Sequence, residues 1–135
     1  MSRPTNALIV DDESHVRAFV RLLLREVGIT ECWEAADGKS AVELAKQHKP
    51  ELVMLDINLP GLSGLQVLAQ LKDADPDVSV VIVTSQSAIS TVSESVRLGA
   101  VGYLLKHCPK EETLKALREV LESIDEPGES TESGA

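Results

Sequence analysis

The sequence predicts an α/β fold in which five parallel strands alternate with five helices. Short apolar runs recur along the chain without the polar alternation of half-exposed strands, and such runs are typical of a parallel sheet covered on both faces. Between these runs lie longer segments whose apolar residues recur at helical spacing. The 135 residues are enough for one such domain and too few for two ordinary ones.

The first half of the chain begins this alternation. Its strand-like runs are ALIV at 7–10, a weaker CWEAA at 32–36 that we expect at a sheet edge, and LVML at 52–55. The first helix is indicated by apolar residues three or four positions apart, at Val16, Phe19, Val20, Leu23 and Val27. Gly28 follows as a C-terminal stop. A second helix is marked by Ala41, Leu44 and Ala45.

The second half of the chain repeats the pattern. A third helix is indicated by Leu65, Leu68 and Leu71, and the strand-like runs VSVVIV at 78–83 and VGYLL at 101–105 follow it. The last helix has apolar residues at helical spacing, namely Leu114, Leu117, Leu121 and Ile124. The order strand then helix therefore occurs five times.

The segment SAISTVSESVRL at 87–98 predicts a weaker fourth helix. Ser, Thr and Val are mediocre helix formers, so we expect this helix to be stabilised mostly by the packing of Ile89, Val92 and Val96. Two interpretations stay open at this point: an ordinary surface helix, and a helix that is mobile by design.

Charge and composition exclude several classes of protein. The net charge of −9, with Lys and Arg scattered along the chain, argues against direct binding of nucleic acid. No apolar stretch reaches the roughly 18 residues of a membrane helix, and the N-terminus lacks the core of a signal peptide. Two cysteines, Cys32 and Cys108, are interpreted as reduced and structural. We therefore expect a cytoplasmic protein without membrane contact.

The domain boundary is expected close to the C-terminus. Residues 1–123 are predicted to form the domain. Residues 124–135 are rich in Pro, Gly, Ser and Glu, and they are interpreted as a disordered acidic tail or a linker.

Polar residues stand where four of the predicted strands end. Asp11 and Asp12 follow the first strand, Asp56 the third, Thr84 the fourth and Lys106 the fifth. Because the carboxyl ends of parallel strands lie at one edge of the sheet, these side chains are expected to meet in one cleft. Taken singly, each has an ordinary explanation, since the Asp pair could cap a helix and the others could be turn or surface residues. Their combination at one edge favours a site.

Three crowded carboxylates predict a hard divalent cation, because they repel one another unless a cation joins them. Mg²⁺ fits best, since it binds through few carboxylates and completes its coordination with water and phosphate oxygens. A Lys in the same cleft indicates that an anion joins the metal, and a phosphoryl group is the obvious candidate.

Four stretches, in this order and spacing, resemble the receiver domains of two-component response regulators, such as the chemotaxis regulators. They are IVDDE at 9–13, VMLDINLPGLSG at 53–64, VIVTS at 81–85 and GAVGYLLK at 99–106, and the resemblance covers about residues 6–122. It implies a flavodoxin-like (βα)5 fold, a three-layer sandwich whose parallel strands have the order 2-1-3-4-5.

The resemblance also implies roles for the acids of the cleft. Asp56 matches the phosphoacceptor of the family. Asp11 and Asp12 match the acid pair that binds Mg²⁺ directly or through water, and Asn58 would give its main-chain carbonyl to the metal.

Further roles concern the phosphoryl group and the response to it. Thr84 matches the hydroxyl that binds a phosphoryl oxygen, Ser85 would supply a main-chain N–H, and Lys106 matches the pairing ammonium. Thr84 and Tyr103 correspond to the switch residues that change position after phosphorylation.

The implied function is signal transfer. A sensor histidine kinase or a histidine phosphotransfer protein would donate the phosphoryl group. The face formed by the fourth helix, fifth strand and fifth helix would then bind a downstream partner or support a phosphorylation-dependent dimer. Self-phosphorylation and autodephosphorylation are the implied chemistry, without conventional turnover of a substrate.

One departure from the family pattern affects the last loop. The family usually has a Pro in a cis peptide directly after the Lys, whereas here His107 follows Lys106 and the next Pro is Pro109. A cis bond before a residue other than Pro costs about 2.5–4 kcal/mol. We therefore predict a trans bond between Lys106 and His107 and an altered start of the last helix.

Three other classes of protein share parts of this pattern. A haloacid-dehalogenase-type phosphatase would have a second Asp at the position of Asn58, and a flavin-binding protein would have a Ser/Thr-rich loop in place of Asp11, Asp12 and Glu13. A phosphorylation-independent interaction module on the same fold is the more serious alternative, but it typically loses one of the acids or the Lys.

Overall fold

A computed structural model describes residues 4–85 and 89–125. The strands are β1 (Asn6–Val10), β2 (Glu31–Ala35), β3 (Leu52–Asp56), β4 (Ser79–Thr84) and β5 (Gly102–Leu105). The helices are α1 (Ser14–Glu26), α2 (Gly38–His48), α3 (Gly64–Ala74), α4 (Ile89–Arg97) and α5 (Lys110–Asp125). The predicted alternation of strands and helices is confirmed.

The five strands form one parallel sheet with the order β2-β1-β3-β4-β5. This order confirms the flavodoxin-like topology. The weak run around Cys32 forms an edge strand, as expected. In the register of the sheet, Val10 lies beside Leu55 and Leu55 beside Ile82, so the central strands end at nearly the same level.

Two apolar clusters fill the space between the sheet and its helices. In β1, Leu8 and Val10 belong to the cluster that includes residues of α2 and α3, whereas Ala7 and Ile9 belong to the cluster that includes residues of α1 and α5. All four side chains are at most 1% exposed. Burial on both faces explains why this strand lacks polar alternation, and it gives the predicted three layers.

Helix α1 ends where the sequence predicts. It stops at Glu26, and Gly28 adopts a left-handed φ of 93°, a conformation that glycine adopts without the steric cost of a side chain. The chain then enters β2.

The packing predicted for α4 is only partly right. Val92 is buried, but Val96 is 51% exposed, so the expectation that Val96 packs inward is wrong. The inward position one residue earlier belongs to Ser95, whose buried hydroxyl donates to the carbonyl of Val92 at 2.7 Å. The side chain of Ile89 lies outside the described residues.

Helix α5 continues to Asp125 and the following residues are not described, so the predicted tail stays a prediction. Within the described ranges, no helix has both the length and the apolar character needed to cross a membrane.

Candidate functional site

The carboxyl edge of the sheet gathers the predicted site residues. Asp11 directly follows β1, Asp56 ends β3, Thr84 ends β4 and Lys106 directly follows β5. Asp11 and Asp56 are each 2% exposed and Thr84 is 0% exposed, which is unusual for polar residues at strand ends. The expectation that separate strand ends deliver these groups to one cleft is met.

Three of the carboxylates form a compact acidic cluster. One oxygen each from Asp11, Asp12 and Asp56 can be chosen so that all three lie within 4.8 Å of one another. Asp12 is exposed at the mouth of the cleft, while the other two are buried. Such an all-oxygen set suits a hard divalent cation.

Lys106 lies between the acids. Its Nζ is 3.0 Å from Oδ2 of Asp56 and 2.9 Å from Oδ2 of Asp11, and Oε1 of Glu13 is 3.6 Å away. The main-chain N–H of Lys106 donates to the carbonyl of Thr84 at 2.7 Å. That bond fixes the base of the Lys side chain relative to β4.

The loop after Asp56 turns tightly over the end of β3. Oδ1 of Asp56 accepts from the main-chain N–H of Asn58 at 3.0 Å, and the N–H of Gly64 donates to the carbonyl of Ile57 at 2.7 Å. A Cβ on Gly64 would lie 2.4 Å from Cα of Ile57 and 2.6 Å from the carbonyl oxygen of Asp56. Only glycine allows this approach, which brings α3 against the Asp56 loop.

Burial and charge shift two pKa values in the cleft. Burial raises the pKa of Asp56, and the hydrogen bonds from Asn58 and Lys106 only partly offset this effect. Burial alone would lower the pKa of Lys106, but the carboxylates of Asp11 and Asp56 outweigh it and raise that pKa. The ammonium is therefore held charged beside a carboxyl group that resists ionisation.

Two buried oxygens of the cleft lack a hydrogen-bond partner among the described residues. They are Oγ1 of Thr84 and Oδ2 of Asp11. The Asp11 oxygen is nevertheless paired with the Lys106 ammonium at 2.9 Å. Buried polar atoms are nearly always paired, so the Thr84 hydroxyl points to a ligand of the cleft. A phosphoryl oxygen would suit the hydroxyl, and a cation would suit the carboxylate.

Of the other predicted site residues, two adjoin the cleft in the chain and the third faces outward. Ser85, directly after β4, is half-buried and Asn58 is exposed. Tyr103 is on β5 and is 43% exposed, with its ring beside the outer groove between β5 and α5. In this structure it is therefore in an outward position.

The peptide between Lys106 and His107 is trans, as predicted, and the described residues contain no cis bond at all. His107 adopts a left-handed φ of 65°, which is uncommon for a residue with a side chain. Helix α5 then begins at Lys110, directly after Pro109.

Sequence reasoning missed two residues that contact this cleft. The carboxylate of Glu13 lies close to Lys106, and Nη1 of Arg17 donates to the main-chain carbonyl of Asp11 at 2.6 Å. A signal was available for Glu13 alone, because it directly follows the acid pair in the sequence.

Comparisons with known proteins agree with this geometry. The profile of the response regulator receiver domain matches residues 7–118. The nitrate/nitrite response regulator protein NarL of Escherichia coli is 34% identical over 117 residues, which cover 86% of this chain and 54% of NarL. Sporulation initiation phosphotransferase F of Bacillus subtilis is 30% identical over 114 residues, which cover 84% of this chain and 91% of that protein.

A solved receiver-domain structure has the same fold as this chain. The receiver domain of NtrX from Brucella abortus superposes with a TM-score of 0.77 at 32% identity, covering 87% of this chain and 98% of that one. The chain spans only about half the length of several curated relatives, including NarL.

Proposed function

Because this chain belongs to the receiver domains of two-component response regulators, we propose that Asp56 accepts a phosphoryl group from phosphohistidine. The donor would be a sensor histidine kinase or a histidine phosphotransfer protein in the cytoplasm, since receiver domains interact with histidine kinases and downstream effectors as a class. The observation that carries the proposal is the buried Asp56 carboxylate, with two further acids and the Lys106 ammonium around it.

The acidic cluster supports a role for Mg²⁺ in this reaction. Asp11, Asp12 and Asp56 would hold the ion, and Asn58 would add its main-chain carbonyl. When bound, Mg²⁺ neutralises negative charge on the transferred group and so lets a carboxylate approach it.

The transfer step needs little chemistry beyond positioning. A carboxylate oxygen of Asp56 forms a bond to phosphorus while the phosphorus–nitrogen bond of phosphohistidine breaks, and the imidazole nitrogen keeps the electron pair. Lys106 must then exchange part of its contact with Asp56 for a phosphoryl oxygen. Thr84 and the main-chain N–H of Ser85 would bind the remaining oxygens, which supplies the Thr84 hydroxyl with a partner.

We propose that the signal leaves through the surface formed by α4, β5 and α5. Movement of Thr84 toward the phosphoryl group would open space that the outward ring of Tyr103 can enter. The phosphoryl group can only favour a state that already exists, so the output is a shift in population. A downstream protein would bind this surface, and phosphorylation-dependent pairing of two chains on it is a second way to read the signal.

Phosphorylation with a small donor tests the proposal. The chain is incubated with acetyl phosphate and Mg²⁺ and analysed by intact mass. We expect a single phosphoryl adduct that is absent in Asp56→Asn and retained in the control Asp73→Asn, which removes an exposed acid of α3. No adduct with any donor would favour a phosphorylation-independent interaction module. Turnover of unrelated phosphate esters would instead favour a phosphatase.

A further inference from the structure

We infer that Arg17 positions the Asp11–Asp12 acid pair for the metal, and that Glu34 holds Arg17 in place. In the described part of the chain, the side chain of Arg17 bonds to Glu34 and to the main-chain carbonyl of Asp11, so its role is to orient other residues. The inference rests on the proposed function and adds a positioning residue to it.

Arg17 reaches the acid pair through the main chain. Its Nη1 donates to the carbonyl oxygen of Asp11 at 2.6 Å, and its side chain is only 17% exposed. A short bond from a charged donor in a partly buried place is among the stronger hydrogen bonds in proteins. This carbonyl belongs to the peptide group that joins Asp11 to Asp12, so its direction affects where both side chains point.

Asp11 is held at two other points as well. Its main-chain N–H donates to the carbonyl of Ala35 at 3.1 Å, and its Oδ1 accepts from the N–H of Glu13 at 2.9 Å. The first bond fixes the main chain of Asp11 against the end of β2, and the second fixes its side chain. Without Arg17, the peptide on the Asp12 side would lose its side-chain tether, and Asp12 is the exposed member of the cluster.

Glu34 keeps the guanidinium of Arg17 in this position. Oε1 of Glu34 accepts from Nε of Arg17 at 2.9 Å, and Oε2 accepts from Nε of Arg21 at 2.9 Å. Both arginines belong to α1 and Glu34 to β2, so the carboxylate ties the helix to the edge strand. The two guanidinium groups outweigh the effect of burial and lower the pKa of Glu34, which keeps the carboxylate charged.

Arg21 provides a matched control. It shares the Glu34 carboxylate with Arg17, but its other hydrogen bond goes to the carbonyl of Cys32 at 3.5 Å and not to the acid pair. Removing either arginine costs the protein one ion pair with Glu34. Only the removal of Arg17 takes away the bond to Asp11.

The test compares Mg²⁺ affinity with stability. Isothermal titration calorimetry with MgCl₂ gives the dissociation constant for wild type, Arg17→Met, Arg17→Lys and Arg21→Met, and thermal unfolding gives the midpoint of each. Groups that orient metal ligands typically change affinity by about 10–100-fold, so we expect Arg17→Met to bind Mg²⁺ about 10-fold more weakly. Arg17→Lys should lie between, because one ammonium cannot bond Glu34 and Asp11 as a guanidinium does. Arg21→Met should stay within about 2-fold of wild type.

Phosphorylation separates positioning from general damage. Below saturating Mg²⁺, Arg17→Met should form the Asp56 adduct from acetyl phosphate more slowly than wild type, and added Mg²⁺ should restore most of the rate, because Arg17 acts through the affinity for the ion. Wild-type affinity in Arg17→Met would overturn the inference, and so would an equal loss in Arg21→Met that parallels its loss of thermal stability. A wild-type chain that neither binds Mg²⁺ nor forms an adduct would instead overturn the proposed function.

Discussion

Individual side chains of the cleft have charges and polar atoms that are only partly compensated. Asp56 is a buried acid whose pKa is raised, and Thr84 has a buried hydroxyl without a hydrogen-bond partner in the described part of the chain. Such groups cost folding free energy, so they indicate that the site is built for its ligands and not for stability.

The variant Asp56→Asn tests the cost of the buried charge. Because the pKa of Asp56 is raised in the folded chain, the folded state binds a proton more readily than the unfolded state. The contribution of this group to the free energy of unfolding is fully present below the unfolded pKa of about 4. It is lost as the pH rises through the raised pKa of the folded chain. With a chelator present to remove divalent cations, at about pH 7, we expect the free energy of unfolding of the variant to exceed that of wild type by on the order of 1 kcal/mol.

Urea unfolding across a pH series measures this difference. The gain should vanish near pH 3, where the wild-type carboxyl is neutral in both states. A variant that is no more stable than wild type at neutral pH would contradict the prediction.

Thr84→Val separates function from stability at a second residue. Replacing a buried, unpaired hydroxyl by a methyl group of similar shape should leave the free energy of unfolding unchanged or raise it by up to about 1 kcal/mol. Adduct formation from acetyl phosphate should slow by at least about 10-fold, because one donor to the phosphoryl oxygens is lost. Loss of more than about 1 kcal/mol on unfolding would mean that the hydroxyl has a partner in the folded chain.

At the scale of elements, the start of α3 is fixed by its approach to β3. Gly64→Ala would place a methyl group against main-chain atoms of Asp56 and Ile57, which cannot move cheaply. We expect the free energy of unfolding, measured with denaturant, to fall by about 2 kcal/mol or more. Less phosphoryl adduct should form at Asp56. Gly61→Asn is the control, since a Cβ there has no contact within 4 Å and Asn tolerates the left-handed φ of 77°. Equal stabilities of the two variants would show that the α3 approach is looser than described.

In the loop between β5 and α5, introducing a glycine should stabilise the fold. His107 has a φ of 65°, which costs a residue with a side chain about 1–2 kcal/mol relative to its preferred conformations. His107→Gly should therefore raise the free energy of unfolding by about 0.5–1 kcal/mol, after the greater flexibility of the unfolded glycine is counted. His107→Pro should lower it, because proline cannot adopt a positive φ. A proline variant as stable as wild type would show that the loop has a second path.

At the scale of the whole molecule, Mg²⁺ should stabilise the fold. A ligand that binds only the folded state at 100 times its dissociation constant adds about 2.7 kcal/mol to the free energy of unfolding. We expect the thermal midpoint to rise with MgCl₂ in wild type and to rise much less in Asp12→Asn. NaCl at matched ionic strength is the control for screening of the net charge of −9. The same rise in both salts would argue against a specific ion.

The fold and the meeting of the acids with Lys106 in one cleft could be predicted because the sequence shows the features that determine both. Buried strands such as β1 have apolar residues on both faces. Asp56 and Lys106 each directly follow an apolar run, which marks them as residues at the end of a buried strand. Parallel topology then places the strand ends together. The trans bond before His107 followed from the cost of the alternative.

What could not be predicted depends on side-chain geometry across elements. Val96 has the right residue type for the buried face of α4, but the helix turns Ser95 inward, and helical spacing alone does not fix that rotation. The contact between Arg17 and the carbonyl of Asp11 joins a helix to a loop through a guanidinium, and polarity patterns do not record such contacts.

The bridge from Lys106 to Asp11 and Asp56 joins groups that three different strands place together and that are far apart in the chain. During synthesis, the first strand leaves the ribosome long before the fifth, so a nascent chain contains the acids before it contains the Lys106 ammonium. Pairing of distant strands is also slow compared with helix formation. The cleft should thus be completed in one late step, after the fifth strand has joined the sheet.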